Sequence, residues 1–202
     1  MKRAGLIVFS AAMIAAGGKA AHAQTAATDQ LTETGKVMVS GRPVGFLIRR
    51  LPASSFPELP AAIAAQLTAD GCMIPQTYEA HRPENVVRAS LERAGSADWA
   101  VLCAAKGTVA LLVFFASEPE KPMTLATAPE TERLQAHDPS GVLGFNWGID
   151  PASPQRVHEA QLGMKRRAPL EDHDALSDST IENRTVFHYF TRGRWTLLDV
   201  PE

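Results

Sequence analysis

Beyond its first two dozen residues the chain has no apolar run long enough to cross a bilayer. The most apolar later stretch, Val109 to Ala116, is strand-sized and gives way at once to Glu118, Pro119 and Glu120, far short of the roughly 20 residues a spanning helix requires. Basic residues are sparse as well. Arg49-Arg50 and Lys165-Arg166-Arg167 are the only clusters, too little to neutralise a phosphate backbone, which argues against nucleic acid as a partner. The sequence contains no G-x-S-x-G, S-x-x-K or H-E-x-x-H, no G-x-G-x-x-G and no P-loop, so nothing in it points to a familiar hydrolase or to a nucleotide cofactor. No C-x-x-C pair, internal repeat or low-complexity tract is present, and no cofactor of any kind is expected.

What the chain does have begins at its start. Lys2 and Arg3 precede an uncharged apolar stretch from Ala4 to Ala16, and the small-residue pattern Ala21-His22-Ala23 stands before Gln24. A positive leader, a short apolar segment and an A-x-A site read as a secretory signal peptide over residues 1–23. The apolar part is too short for a membrane anchor, and Gly17, Gly18 and Lys19 interrupt it. No cysteine follows it to carry lipid, so no lipid anchor is expected. Cleavage removes Lys2, Arg3 and Lys19, taking the net charge from −2 to −5. The expected product is a soluble, mildly acidic protein of the periplasm or the exterior.

In an oxidising compartment two cysteines, Cys72 and Cys103, read most simply as one disulfide. A catalytic or metal-binding thiol is the competing reading, although neither cysteine stands beside a histidine.

Residues 24–36 are rich in Thr, Ala, Gln and Asp and show no period, which suits a flexible terminus. Short strands are expected at Val37–Val39 and Phe46–Ile48 around a turn at Gly41-Arg42-Pro43. A helix is expected from about Pro57 to Ala69: Ser54 or Ser55 can cap it, Leu59, Ile63 and Leu67 recur at four-residue spacing, and Gly71 stops it. Val87, Ala89 and Leu91 alternate with Arg88, Ser90 and Glu92, which predicts a strand with one wet face. Trp99–Cys103 and Thr108–Phe115 are apolar on both faces and flank a turn at Lys106-Gly107. These three segments read as an antiparallel meander at the core of the fold. Residues Ser117–Glu130 read as loop, Gly141–Ile149 as a strand, and Ser153-Pro154 as the start of a short helix that Gly163 closes, with Val157 and Leu162 as its apolar points. Met164–Asp178 reads as loop, and a hairpin of Thr185–Phe190 and Arg194–Val200 ends the chain. The expected architecture is α+β: residues 37–202 form one domain with an antiparallel sheet of about five or six strands, two short helices and one disulfide.

The pieces Gly71-Cys72-Met73-Ile74-Pro75-Gln76, Asn85-Val86-Val87, Asp98-Trp99-Ala100-Val101-Leu102-Cys103, Asp172-His173-Asp174, Val186-Phe187-His188-Tyr189-Phe190 and Gly193-Arg194-Trp195 resemble the shared pattern of an uncharacterised family of exported, periplasmic bacterial proteins. They span most of the mature chain. The resemblance implies one domain and a Cys72–Cys103 bridge, and implies no activity. The segment Leu91 to Leu102 also resembles a degenerate strand-turn-strand of the FG-GAP or VCBS type, whose turns hold calcium. Its turn, Glu92 to Asp98, keeps a glycine and the last aspartate but lacks the other acidic ligands.

Three groups of residues are candidates for chemistry. The segment Glu171-Asp172-His173-Asp174, followed by Asp178 and Glu182, carries the densest cluster of oxygen ligands, the type a hard cation takes. Read as an EF-hand from Asp172, however, Ser177 stands where glycine is required and Asn183 where the final glutamate is required. His81, His137, His158, His173 and His188 are scattered without metal-binding spacing, and His137, Asp138 and Ser140 are neighbours in sequence only. Trp147, Tyr189, Phe190 and Trp195 could line a surface for a saccharide or peptide, although large aromatics in strands more often pack in a core. The leading expectation is a non-enzymatic binding or inhibitory module acting on an envelope protein or a saccharide. The alternative is a small metal-dependent or hydrolytic periplasmic enzyme using Asp172-His173-Asp174.

Overall fold

The computed structural model describes residues 32–162, 164, 167 and 171–200. Residues 1–31, where a signal segment is expected, and 163, 165–166, 168–170 and 201–202 lie outside the described residues. Within them the chain forms thirteen strands in two sheets, with two α-helices.

The first sheet holds β1 (Thr32–Val39), β2 (Arg42–Pro52), β3 (Met73–Gln76), β4 (Val86–Ala89), β5 (Asp98–Ala105), β6 (Thr108–Phe114), β7 (Met123–Pro129), β8 (Leu134–Ala136) and β9 (Leu143–Phe145). Its order is β7-β6-β5-β3-β2-β9-β8, with β1 paired to β2 and β4 to β5. All pairs are antiparallel except β2 with β9. The second sheet is the antiparallel series β10 (Trp147–Ala152), β11 (Ala175–Thr180), β12 (Arg184–Thr191) and β13 (Arg194–Val200). Two sheets of nine and four strands thus replace the single sheet of five or six expected above. Part of the excess comes from β7, β8 and β11, which are short on apolar alternation. The stretches Ser117–Glu130 and Met164–Asp178, expected to be loop, contain β7 and the start of β11. The Thr32–Lys36 stretch, expected to be flexible, is paired in β1.

Alternation along the strands explains how the layers stack. On one face of the first sheet Val87, Ala100, Leu102, Val109, Leu111 and Val113 meet Trp147, Ile149 and Leu176 of the second sheet. On the opposite face Trp99, Val101, Cys103 and Phe114 pack against Phe56, Leu59, Ile63 and Leu67, the apolar side of α1 (Ala61–Ala69) and the turns before it. The outer face of the second sheet carries Phe187, Tyr189 and Leu198 against Val157 of α2 (Pro154–Ala160). The order is helix, sheet, sheet, helix, so β5 is buried on both faces as its sequence predicts.

The helix α1 starts four residues later than expected. Neither serine caps it; Pro60 takes the N-cap position, because a proline disfavours helical geometry at the residue before it and so keeps Leu59 out of the helix. A 3₁₀ turn at Ala53–Ser55 precedes it, and Pro57–Leu59 form a turn and bend. Ser153 caps α2 as predicted, its side chain accepting from the Arg156 amide at 3.2 Å. Val157 is buried there, whereas Leu162 is 64 % exposed.

Cys72, just past the left-handed Gly71 (φ 68°), is bonded to Cys103 in β5, with 5.3 Å between their α-carbons. The helix end is therefore tied covalently to the sheet. A second junction is polar. Asn85, 2 % exposed and left-handed at φ 67°, donates to the carbonyls of Pro75 (2.7 Å) and Trp147 (3.2 Å) and accepts from the Ile149 amide (3.1 Å). One side chain thus joins the two sheets. Asn85→Ala is expected to lower stability by about 3 kcal/mol, because it leaves buried backbone groups unpaired and keeps the Cβ in a left-handed position without the hydrogen bonds that compensate it. Asn85→Gly should recover only the backbone part, roughly 1 kcal/mol. Urea unfolding of the two variants checks this.

Candidate functional site

The acidic cluster read from the sequence is dispersed by the fold. Asp172 is exposed and lies 3.1 Å from His173 Nδ1. His173 Nε2 donates to the Phe190 carbonyl at 2.8 Å, so that nitrogen carries a proton and is closed to a metal while the bond stands. Asp174 accepts from the Ser90 amide at 3.1 Å, and its own amide returns a bond to the Ser90 carbonyl at 2.9 Å. The pair clips the start of β11 to the end of β4. Asp178 turns to a different set of partners altogether. Among the described residues no group of three or more His, Cys, Asp or Glu side chains is placed to hold a metal ion. Millimolar calcium is accordingly expected to leave the melting temperature nearly unchanged; a rise of several degrees would mean that Asp172, Asp174 or Asp178 leaves its partner to bind the ion.

The Glu92–Asp98 turn likewise explains its surviving aspartate without calcium. Asp98, fully buried, accepts from the amides of Leu91 and Glu92 and from the Ser96 hydroxyl on one oxygen, and from the Ala116 amide on the other. Protein donors occupy the carboxylate on both sides.

The aromatic candidates do not share a surface. Trp147 is fully buried between the sheets, and Tyr189 lies on the opposite face of the second sheet, under α2, where burial pushes its phenol up. Trp195 stacks with Phe115 and meets Phe190 edge-on, at ring separations of 5.8 and 5.4 Å.

What the fold does assemble is a cleft of about 450 Å³ where the inner face of the second sheet extends past the cover of the first. Its lining comes from Leu125 and Ala126 of β7, Arg133 in the 3₁₀ turn Glu130–Arg133, Asp178 and Thr180 of β11, Arg184, Val186 and His188 of β12, and Leu197 and Asp199 of β13. Asp178 and His188 are diagonal neighbours on adjacent strands, since Asp178 faces Val186 in the register. Asp178 accepts from the Trp147 indole at 2.6 Å on one oxygen and pairs with His188 Nε2 at 2.9 Å on the other. Arg133 lies over the same indole, 4.0 Å from its centroid. At the rim Arg184 holds Asp199 through its Nε at 2.9 Å, which keeps the Asp199 carboxyl below the usual carboxylate range.

No family model, curated protein or solved structure matches the chain.

A second cleft, of about 420 Å³, lies beyond α1 on the outer face of the first sheet and includes Arg49, Tyr78, His137, Asp138 and Ser140. Tyr78 and His137 stack at 4.6 Å, and hydrogen bonds from the Ser140 side chain and from the Ser140 amide (2.7 Å) hold the Asp138 carboxyl below the usual range. The tight approach depends on Gly144, whose missing side chain would meet the Tyr78 Cβ at 2.6 Å. His137 Nδ1 stands 3.7 Å from Asp138, while the serine turns both its side chain and its backbone amide to the acid. The three neighbours in sequence therefore form a turn and a stack.

Sequence reasoning missed Arg133 and the pairing of Asp178 with His188. Asp178 was visible only as one acid of a cluster and His188 only as a strand histidine. A hairpin turn near Glu182 would have brought them onto adjacent strands as diagonal neighbours, but β11, Ala-Leu-Ser-Asp-Ser-Thr, has too few apolar residues to announce a strand.

Proposed function

We propose that the chain is an exported envelope protein, periplasmic or secreted, that works as a non-enzymatic binding or inhibitory module, with the cleft on the second sheet as its binding face. The observation that carries the reading is the open half of that sheet. Its polar groups are hydrogen-bonded to one another, Asp178 to Trp147 and His188, and Arg184 to Asp199, so the surface is preorganised. Leu197, 64 % exposed, offers an apolar contact beside them. Concave sites with apolar walls and a few fixed polar groups are typical of ligand binding. Among the described residues no helix is long and apolar enough to cross a membrane, and a disulfide suits an oxidising compartment.

The second reading is a small hydrolytic or metal-dependent enzyme. The Asp178–His188 pair favours it, whereas Asp172, His173 and Asp174 have separate structural partners. Ser177, Ser179 and Thr185 bond to one another along the second sheet, and strand alternation puts them on the face away from His188.

Backbone amide shifts of the mature protein, followed during titration with a mixed set of short peptides and oligosaccharides, test the proposal. Shifts are expected to gather at Asp178, Val186, His188 and Leu197. Ligands that leave these amides unmoved while shifting others would overturn the assignment of the face. Stoichiometric metal in the purified protein would favour the enzyme. Intact mass of protein taken from the envelope should correspond to a chain starting at Gln24.

A further inference from the structure

We infer that the ligand of this cleft carries a carboxylate on a short apolar stem, and that Arg133 receives the carboxylate. The inference rests on the binding-module reading and names the chemistry of its ligand. Arg133 is held in place from three directions. Its carbonyl accepts from the Asn146 amide at 2.9 Å, its guanidinium lies over Trp147, and its Nη1 reaches Thr180 Oγ1 at a long 3.4 Å. Its Nε is buried without a partner, and it forms no ion pair among the described residues.

The other charges of the cleft do not supply what Arg133 lacks. Asp178 lines the same cleft, but the indole and the imidazole engage its two oxygens. Asp199 is paired with Arg184. One half-buried, oriented guanidinium is left without a carboxylate. A charge withdrawn from water gains most when a partner of opposite sign and matching geometry completes it. Stacked on an aromatic ring, a guanidinium keeps its N–H edge free for a planar acceptor, which a carboxylate provides.

The surroundings narrow the class further. Asp178 and Asp199 border the site, so a doubly charged phosphate or sulfate meets more repulsion than a singly charged carboxylate does. Leu125, Ala126, Val186 and Leu197 complete the lining, which suits an apolar stem. Two sources present this chemistry: a free fatty acid, and the C-terminal carboxylate of a peptide ending in an apolar residue.

Calorimetry and amide-shift titration of the mature protein with octanoate, octanamide, acetyl-Ala-Leu and acetyl-Ala-Leu-amide separate them. At least one acid is expected to bind in the cleft at least tenfold more tightly than its amide, with Arg133→Gln abolishing the difference and Arg133→Lys retaining part of it. Preference for octanoate assigns the fatty-acid source, and preference for acetyl-Ala-Leu assigns the chain terminus. Exposed Arg192, at the distant β12–β13 turn, provides the control: Arg192→Gln should bind as wild type does. Acids and amides that bind alike in the cleft would overturn the carboxylate and leave the binding face standing. Absence of any shift at the cleft with all four compounds would also overturn it, while the peptide and saccharide titration tests the binding face separately. The acid-against-amide comparison on wild type stands even if a variant is unstable.

Discussion

Asp98→Asn is expected to destabilise the protein by about 3 to 5 kcal/mol, the range for breaking a buried charged network by removing one member. The fully buried Asp98 carboxylate collects four donors, three from the Leu91–Ser96 turn and one from Ala116 beyond β6. It thereby closes the turn that leads into β5 and ties it to the end of β6. Asparagine keeps the shape but replaces one accepting oxygen with an N–H₂ group that faces other donors. Bonds to charged acceptors contribute roughly 1.5 to 3 kcal/mol each and do not add independently. Thermal unfolding should fall by roughly 10 °C, given about 2 to 4 °C per kcal/mol for a chain of this size. An unfolding free energy from urea within about 1 kcal/mol of wild type at unchanged slope would show that the turn closes without the carboxylate.

The double variant Cys72→Ala, Cys103→Ala is expected to fold alike and lose roughly 2 to 4 kcal/mol. The bridge spans a sequence separation of 31 residues, for which the chain-entropy model gives between about 3 and 4 kcal/mol through restriction of the unfolded chain. Both sulfurs belong to the layer between α1 and the first sheet, where Cys72 is 4 % and Cys103 7 % exposed. Reduction of the wild type should reproduce the loss without altering any side-chain volume, and thiol titration of denatured, unreduced protein should find no free cysteine. Two free thiols would contradict the bridge. A variant that loses stability when the reduced wild type does not would trace the loss to the missing sulfur volume.

Several polar residues singled out in the sequence turn out to build junctions. Gln76 donates to the carbonyls of Ile74 and Glu84 and accepts from the Glu84 amide. Asn85 joins the sheets, Asp98 closes a turn, and His173 anchors to Phe190. These polar residues are buried and hydrogen-bonded, as polar groups inside a protein must be. Their types were legible in the sequence. Their partners lie up to 64 residues away, as for Asn85 with Ile149, and nothing local names them.

The hairpin of β5 and β6, the four-residue spacing of Leu59, Ile63 and Leu67, the Ser153 cap, the terminal hairpin and the disulfide were all determined by local sequence. Each depends on periodicity, turn chemistry or a count of cysteines, and these act over a few residues or allow one pairing. The second sheet as a separate layer, the strands β7 and β11, and the cleft were decided by tertiary structure. β11 is two-thirds polar, and its Asp178 is tolerable in a strand only because Trp147 and His188 arrive from neighbouring strands to satisfy it. The same long-range pairing disperses the Asp172–Asp178 cluster: once strand register sends each acid to a different partner, sequence proximity no longer makes a site, and Arg133, which no motif marks, becomes the unpaired charge of the cleft.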